Sequence, residues 1–356
     1  MKKICIVGQF PPPVHGLSAA LQTILDSEHM NRKYEIKSID IKENKKILKH
    51  LWEISKNNSD LYYFTISQSI FGNLRDMAIL KILLNKNKKV IIHYHGGYYK
   101  ELYNKMSGFQ KRINKILLSK INIMIALGES LRNLFVDVID ISKVKVCENY
   151  VEDSSLIEDN LYDKKVASVR EKVNLEVLYL SNFIKTKGYM DVLEAAKHFK
   201  NEKILFHFAG TFFSKQDEDE FLKFVEQNEL QNVVNYHGVV RGEQKKSILM
   251  TSDVFVLPTY YPNEGQPISI IEAMGNGLTI ITTNHAGIPD IVNSNNGYII
   301  KSKSPEEIVD SLNELLLNRE MLINFSNINR NLALNKFKEI HYIRRLEKIF
   351  DEVLSQ

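Results

Sequence analysis

Residues 253–282 read DVFVLPTYYPNEGQPISIIEAMGNGLTIIT, in which an apolar strand, a polar loop, a short helix and a second apolar strand follow one another. Val254–Leu257 is a strand-sized run, and Pro267 suits the first position of the helix because proline has no N–H to leave unpaired. Gly275 and Gly277 suit the helix end. This strand–helix–strand unit predicts a parallel sheet that is covered by helices.

The same alternation extends along the whole chain. Strands are predicted near residues 3–8, 35–40, 61–65, 88–94, 121–127, 144–147, 176–181, 204–209, 233–236, 253–257, 279–282 and 297–300. Helices are predicted between them, for example near 17–28 and 70–85, and a long amphipathic helix is predicted at 341–356. Segment 151–174 is polar, acidic and weakly periodic, and we interpret it as a linker.

These elements predict an α/β protein of two Rossmann-like, doubly wound parallel-sheet domains. The first would span residues 1–160 and the second 161–339, with helix 340–356 packing back on the first domain. Open parallel sheets bind ligands at the carboxyl ends of their strands. We therefore expect the two domains to face each other across a ligand-binding cleft.

Composition bounds the class of protein. The chain has 356 residues, of which 44% are hydrophobic, which is enough for two domain cores. No apolar run approaches the roughly 18 residues that a membrane span needs, and the run in MKKICIVGQFPPP is too short for a signal peptide. We therefore expect a cytoplasmic protein. Cys5 and Cys147 lie in apolar runs and are expected to be small core residues rather than part of a disulfide framework or zinc site.

The charge distribution is asymmetric. Residues 1–150 contain 24 Lys and Arg against 13 Asp and Glu, whereas the remainder contains 23 against 30. Arginine is scarce and no nucleic-acid motif is present, so nucleic acid is not an expected partner. An anionic membrane surface or a phosphate-bearing acceptor fits the basic half at least as well. The basic amphipathic stretches 45–56 and 110–120 usually indicate one buried and one solvated helix face, but here they also suit peripheral membrane contact.

The loop before the short helix suits a phosphate group. A helix N-terminus presents free N–H groups and the positive end of the helix dipole, and Gly265 permits close approach of the backbone to a ligand. Glu264 precedes the helix and Glu272 lies within it. From Pro267 to Glu272 the helix rises roughly 7–8 Å, comparable to a diphosphate plus part of a ribose. One carboxylate can therefore bind sugar hydroxyls and the other ribose hydroxyls.

Residues 263–292, NEGQPISIIEAMGNGLTIITTNHAGIPDIV, resemble the signature of glycosyltransferase family 4, the "glycosyl transferases group 1" family of retaining enzymes with the GT-B fold. The resemblance implies that Glu264 contacts the transferred sugar and that Glu272 binds the ribose of the nucleotide. It also implies that backbone amides beside Glu264, in Gly265-Gln266-Pro267, hold the sugar and the phosphates. Proline has no amide, so only the neighbours of Pro267 can donate.

Residues 179–188, YLSNFIKTKG, resemble the pyrophosphate clamp of the same family. Lys187 and Gly188 match the family pattern, whereas Asn182 stands where the family usually has an arginine. This departure removes one cation from the leaving group. The resemblance therefore implies that Lys187, helped by Lys185 or Arg241, neutralises the diphosphate.

Two strand ends in the first half resemble other parts of the family's site. Gly16 in FPPPVHGLS keeps the second glycine of the family's glycine loop, which implies close approach of backbone N–H groups to the donor diphosphate. His15 replaces the first glycine and either reaches the acceptor or a phosphate, or only fills space. His95-Gly96 resembles the strand-end histidine that touches the donor sugar, and His93 is assigned to packing. A metal pair of His93 and His95 would lack a third ligand.

Smaller matches complete the resemblance. Val239 follows a strand where the family cradles the base with backbone groups. Asn149 falls where the family has an Asn-Gly pair, although the glycine is absent. Residues 217–219, Asp-Glu-Asp, are similar to the acidic metal-binding triplet of the other large glycosyltransferase fold, but we expect them to open a helix, where acidic residues favour the dipole.

The resemblance implies a retaining glycosyltransferase that moves a sugar from a nucleoside-diphosphate sugar to a hydroxyl of a glycan or lipid-linked acceptor. The composition, rich in Lys, Ile and Asn, associates it with bacterial surface polysaccharide or glycolipid synthesis. Glu264, Lys187 and His95 are the expected catalytic residues, residues 1–160 the acceptor-binding domain and 161–339 the donor-binding domain. No cofactor or metal is expected beyond the nucleotide sugar.

Alternatives remain open at this stage. One is a GT-B relative, such as an inverting transferase or a sugar epimerase. Another is a non-catalytic nucleotide-sugar-binding subunit, which Asn182 and the altered glycine loop would suit. A dinucleotide-binding oxidoreductase is disfavoured because no G-x-G-x-x-G follows the first strand.

Overall fold

The computed structural model describes residues 1–12, 16–201 and 203–356, which form two compact units. The first unit comprises Met1–Asn149, Asn263–Gln266 and Glu339–Gln356. The second comprises Tyr150–Pro262 and Pro267–Lys338. No helix formed by the described residues is long and apolar enough to cross a membrane.

The first unit contains a six-stranded sheet. Its strands are β1 (Lys2–Gly8), β2 (Tyr34–Asp40), β3 (Leu61–Thr65), β4 (Lys89–His93), β5 (Ile123–Ala126) and β6 (Val144–Val146). They are parallel and lie in the order β2-β1-β3-β4-β5-β6. Every residue of β3 is buried, as expected for a central parallel strand that is covered on both faces.

Helices surround this sheet. They are α1 (Gly16–Asp26), α2 (Glu28–Lys33), α3 (Ile47–Lys56), α4 (Ile70–Asn85), α5 (Tyr99–Lys105) and α6 (Gly108–Leu118). The helix predicted near 17–28 ends at Asp26, because Ser27 Oγ accepts a hydrogen bond from Met30 N and thereby starts α2. Cys5 and Cys147 are buried free thiols, as expected, and burial raises the pKa of each to about 12.

The second unit contains a second six-stranded parallel sheet. Its strands are β7 (Leu175–Leu180), β8 (Ile204–Ala209), β9 (Val234–Tyr236), β10 (Val254–Leu257), β11 (Thr279–Thr283) and β12 (Gly297–Ile300), in the order β12-β11-β10-β7-β8-β9. Its helices are α7 (Asp159–Ser168), α8 (Tyr189–Ala196), α9 (Lys215–Gln227), α10 (Gly242–Thr251), α11 (Ile268–Gly275), α12 (Pro305–Leu317) and α13 (Arg319–Lys336). The predicted strands are confirmed in both units.

Segment 151–174 is more ordered than the linker interpretation implied. It contains α7, whose Lys165 Nζ donates to Leu249 O at 3.0 Å and to Asn276 O at 2.9 Å. Burial of this ammonium lowers the pKa of Lys165 to about 7. Because a lysine supplies one of the inward contacts of α7, the sequence shows little apolar periodicity there.

Helix α11 ends as the sequence predicted. Gly277 has a φ of 71°, its N–H donates to Met274 O at 2.9 Å, and Leu278 N donates to Ala273 O at 3.0 Å. This pair of bonds is a Schellman motif, in which glycine is favoured at the left-handed position. Pro267 was predicted to be the first helical residue, but it is the N-cap of α11, which begins one position later at Ile268.

The last helix, α14 (Glu339–Ser355), belongs to the first unit. The Phe350 ring lies edge-on to the rings of Tyr34 and Tyr63, with centroids 6.1 Å and 5.6 Å away. Lys33 Nζ also donates to Glu347 Oε1 at 2.7 Å. These contacts hold α14 against α2, β2 and β3.

Candidate active site

An amide pair anchors the loop that contains Glu264. Asn149 N donates to Gln266 Oε1 at 2.8 Å, and Asn149 Nδ2 donates to Gln266 O at 2.7 Å. Gln266 is buried, and Glu264 is only 6% exposed. The two hydrogen bonds therefore fix the position of Asn263–Gln266 within the first unit.

Gly265 occupies a position with no room for a side chain. A Cβ atom there would lie 2.9 Å from Leu127 Cδ1 and 3.2 Å from Gly96 Cα. The sequence predicted that this glycine lets the backbone approach a ligand. The structure adds that its backbone lies against Gly96, so the Glu264 loop meets the turn that follows His95.

The end of β4 carries a stacked histidine pair. The rings of His93 and His95 have centroids 3.9 Å apart and planes tilted by 35°. Tyr63 Oη is hydrogen-bonded to His93 Nδ1 at 2.5 Å, and His93 is fully buried. Burial, reinforced by the neighbouring His95, holds the pKa of His93 well below its usual range. The buried, neutral ring of His93 therefore supports the ring of His95.

Gln68 supports the same turn and was not predicted from the sequence. Its Nε2 donates to His95 O at 3.1 Å. A Cβ atom at Gly96 would lie 2.4 Å from Gln68 Oε1, so the amide group packs directly against that glycine. Gln68 thus fixes the backbone at His95 from the side of β3.

In the second unit, Lys187 lies at the end of a 3₁₀ turn, Lys185–Lys187, that follows β7. Gly188 ends this turn with a φ of 79°, and a Cβ atom there would lie 2.6 Å from Pro258 O. Lys187 Nζ lies 5.1 Å from the centroid of the Tyr261 ring, a cation–π distance. The turn that carries Lys187 therefore packs against the loop that follows β10.

The expected help from Lys185 is not supported by its surroundings. Lys185 Nζ forms an ion pair with Glu220 at 2.8 Å, which directs this ammonium towards α9. Asn182 is exposed, and its carbonyl oxygen accepts hydrogen bonds from Ile184 N at 2.9 Å and Tyr179 Oη at 3.2 Å. Lys187 therefore remains the best candidate in this segment for contact with a diphosphate.

Glu272 is a buried carboxylate on α11 rather than a solvent-exposed one. Lys245 Nζ donates to its Oε1 at 2.6 Å. Burial raises the pKa of Glu272, and the Lys245 ammonium partly opposes this rise. Lys245 on α10 was not predicted from the sequence, because it lies 27 positions before its partner.

The loop after β9 places Val239 at the surface. Val239 is exposed, and Gly238 before it has a φ of 64°. His237 Nε2 lies 2.9 Å from His207 Nδ1, and His207 Nε2 lies 2.6 Å from the carboxylate oxygen Glu176 Oε2. These two hydrogen bonds fix the end of β9, which precedes the predicted base-binding segment.

The remaining predicted residues have less structural support. Gly16 is the first residue of α1 and is exposed. His15, which stands beside it in the altered glycine loop, lies outside the described residues. Residues 217–219 open α9 as predicted, because Ser214 Oγ caps the helix by accepting a hydrogen bond from Asp217 N at 3.1 Å.

The predicted site residues fall into both units. Those in the first unit are Gly16, His95, Glu264, Gly265 and Gln266, and those in the second are Asn182, Lys187, Val239, Pro267 and Glu272. Within the first unit the structure brings the Glu264 loop to the His95 turn. Within the second it brings the Lys187 turn to the loop after β10. The roles of these residues stay predictions.

Comparison with solved structures identifies the architecture. The crystal structure of Alr3699/HepE from Anabaena in complex with UDP superposes with a TM-score of 0.79 over 99% of this chain and 100% of that one, at 14% sequence identity. The chain has the GT-B fold of glycosyltransferases. The prediction of the fold class is therefore confirmed.

Sequence comparisons agree with this fold. Residues 163–332 match the model of the family "Glycosyl transferases group 1". An uncharacterized glycosyltransferase of Methanocaldococcus jannaschii is 26% identical over 306 residues, which cover 80% of this chain and 74% of that protein. The amylovoran biosynthesis glycosyltransferase AmsK of Erwinia amylovora is 27% identical over 149 residues, or 40% of this chain and 35% of that protein. Together these similarities support a glycosyltransferase.

Proposed function

We propose that this protein is a family 4 enzyme that transfers a sugar from a nucleoside-diphosphate sugar to a hydroxyl group with retention of anomeric configuration and without a metal ion. The observation that carries the proposal is the buried Glu264 in a loop that Asn149 anchors and that lies against the His95–Gly96 turn. A carboxylate held in this way is suited to accept hydrogen bonds from several sugar hydroxyls.

The first unit supplies groups for the transferred sugar. Glu264 accepts from its hydroxyls, and the N–H groups of Gly265 and Gln266 donate to the sugar and the phosphates. His95, held against neutral His93, contacts the sugar from the end of β4. The rigidity of these contacts matters because positioning of the reacting atoms supplies much of a transfer enzyme's rate.

The second unit supplies groups for the nucleotide. Glu272 accepts from the ribose hydroxyls, and its ion pair with Lys245 favours the charged carboxylate that this role needs. Backbone groups near Val239 hold the base. Lys187 binds the diphosphate and stabilises the negative charge that develops on it as the sugar leaves.

Attack from the face of the leaving group accounts for retention. The bond between the anomeric carbon and the phosphate oxygen breaks, and the acceptor oxygen forms the new bond on the same face of the sugar. The leaving phosphate takes the acceptor proton. In this mechanism the positive charge of Lys187 and the N–H groups of the Gly265 loop replace a metal ion. Pro267 has no N–H group and does not contribute.

The acceptor is a glycan or a lipid-linked glycan of bacterial surface polysaccharide synthesis. The similarity to AmsK, an amylovoran biosynthesis glycosyltransferase, supports this class of acceptor. A lipid-linked acceptor would bring the enzyme to the cytoplasmic face of a membrane.

Exposed aromatic side chains of the first unit suit that membrane contact. Trp52, Phe71 and Phe109 are 62%, 84% and 73% exposed on α3, α4 and α6, and α4 packs against both α3 and α6. Exposed lysines accompany them, including Lys45 before α3 and Lys49 on it. Aromatic side chains with adjacent lysines favour the interface of an anionic bilayer, where the rings enter the headgroup region and the ammonium groups meet lipid phosphates. We refer to Trp52, Phe71 and Phe109 as the exposed aromatic residues.

A shortage of cations at the expected diphosphate site favours a non-catalytic role. Asn182 stands where glycosyltransferase family 4 usually has an arginine, and Lys185 is paired with Glu220 rather than directed to a diphosphate. A binding subunit that regulates a partner needs fewer cations than an enzyme. Turnover by the purified protein would exclude this alternative.

Nucleotide release tests the proposal. The purified wild type, Glu264→Ala and a surface control, Glu226→Ala, are each offered UDP-, GDP-, dTDP- and CDP-sugars without added metal. Glu226 is an exposed residue of α9. We expect slow release from one donor by the wild type and the control, and none by Glu264→Ala. Full activity of Glu264→Ala would contradict the assignment. Thermal stabilisation by a nucleotide without any release would favour the binding subunit.

A further inference from the structure

The amide pair that anchors the Glu264 loop has two polar atoms to spare. Among the described residues, Asn149 Oδ1 and Gln266 Nε2 are buried side-chain atoms that have no hydrogen-bond partner. Asn149 is 5% exposed and Gln266 is 3% exposed. Buried amide atoms are paired in the great majority of folded proteins, so an unpaired acceptor beside an unpaired donor indicates a missing partner.

The orientation of both amides is fixed by backbone groups. Gln266 Oε1 accepts from Asn149 N, so the other terminal atom must be the NH₂ group. Asn149 Nδ2 donates to Gln266 O, so the spare atom of Asn149 must be the carbonyl oxygen. The pair therefore offers an N–H donor and an oxygen acceptor, which together complement hydroxyl groups, since a hydroxyl both donates and accepts.

The position of the pair suggests which hydroxyl groups it binds. Gln266 follows Glu264 and Gly265 in a loop that lies against Gly96, immediately after His95. Both Glu264 and His95 are assigned to the transferred sugar. One of the two unpaired amide atoms thus belongs to the loop that contains Glu264, and the other belongs to Asn149, which is hydrogen-bonded to that loop.

We propose that the side chains of Asn149 and Gln266 read the hydroxyl pattern of the transferred sugar. Gln266 Nε2 donates to one sugar hydroxyl, and Asn149 Oδ1 accepts from a hydroxyl of the same sugar. This inference rests on the proposed function. It adds a recognition element that acts through side chains, whereas the surrounding loop acts through its backbone and through Glu264.

Gln266→Glu separates recognition from anchoring. The substituted side chain keeps an oxygen that accepts from Asn149 N, but it loses the NH₂ group. Calorimetric affinities are measured for UDP and UDP-glucose, and for GDP and GDP-mannose, with Gln231→Glu on the exposed surface of the second unit as a charge control. We expect Gln266→Glu to lower the affinity for the nucleotide sugar about tenfold and the affinity for the matching nucleotide less than twofold. Gln231→Glu should change neither affinity.

A neutral variant guards against an effect of charge on folding. The methionine side chain in Gln266→Met has a similar length and no polar group. This variant should also lower the affinity for the nucleotide sugar selectively. Equal weakening of nucleotide and nucleotide sugar in both variants, or no weakening of either, would overturn the inference and leave the proposed function intact. Failure of the wild type to bind any of these four ligands or any dTDP- or CDP-sugar would overturn the proposed function, and this inference with it.

Discussion

Substitution of Gly265 by alanine should damage catalysis more than folding. The added Cβ would lie 2.9 Å from Leu127 Cδ1, 3.2 Å from Gly96 Cα and 3.4 Å from Gly96 N. Ordinary carbon–carbon contacts lie at about 3.5–4.0 Å, so the two glycine backbones must separate by about 0.5 Å. The Leu127 side chain can rotate away, but the Gly96 backbone is held by Gln68.

The size of the effect follows from this displacement. Overpacking of this kind costs about 1–3 kcal/mol of stability, which a chain with two large cores should tolerate. A shift of the Glu264 loop by a fraction of an ångström, however, misplaces the carboxylate and the amides that we propose hold the sugar. A displacement of about 1 Å can cost about 100-fold in rate, so we expect kcat/KM to fall by about 10- to 100-fold.

The assay measures kcat/KM for sugar transfer at a temperature well below the unfolding midpoint of the variant, which thermal unfolding establishes. Gly108→Ala is the matched control, because a Cβ atom at that position meets nothing within 4 Å. It should retain the activity of the wild type. Unchanged kcat/KM in Gly265→Ala would refute the argument that the contact with Gly96 positions the Glu264 loop.

Three further predictions concern charge, membrane contact and pH. Lys245→Met should raise the pKa of Glu272 further and weaken nucleotide binding, most strongly at acidic pH, and an unchanged calorimetric affinity would contradict the proposed role of the ion pair. Vesicles that contain an anionic lipid should shift the fluorescence of Trp52, the single tryptophan, to the blue, and Phe71→Ser should weaken vesicle binding. The absence of a shift would contradict membrane contact by the exposed aromatic residues. Lys165 has a folded pKa of about 7, below its unfolded value of 10.5, so the unfolded chain binds more protons between these pH values. The wild type should therefore gain thermal stability relative to Lys165→Met between pH 7 and 9, and a difference that does not change with pH would contradict this.

The sequence predicts the two sheets well because their strands are covered on both faces. A strand such as Leu61–Thr65 must then be apolar throughout, and this signal is local. The glycine that ends α11 is equally local, since the left-handed position of Gly277 follows directly from helix geometry. Segment 151–174 was misread because α7 turns a lysine, Lys165, towards two carbonyl groups.

The support around the candidate site could not be predicted, because it depends on contacts between distant positions. Asn149 and Gln266 are separated by 117 residues, and Gln68 and His95 by 27. Nothing in the local sequence marks either pair. The sequence indicated Glu264 through its spacing from Glu272, but only the structure shows what holds the loop of Glu264 in place.

The central claim is retaining transfer from a nucleotide sugar, and the anomeric configuration of the product tests it most directly. Once nucleotide release has identified the donor, the product formed with a simple hydroxyl acceptor is analysed by proton NMR through the coupling constant of its anomeric proton. An α-linked donor should give an α-linked product with the wild type and no product with Glu264→Ala. A β-linked product, or equal product from Glu264→Ala, would contradict the account.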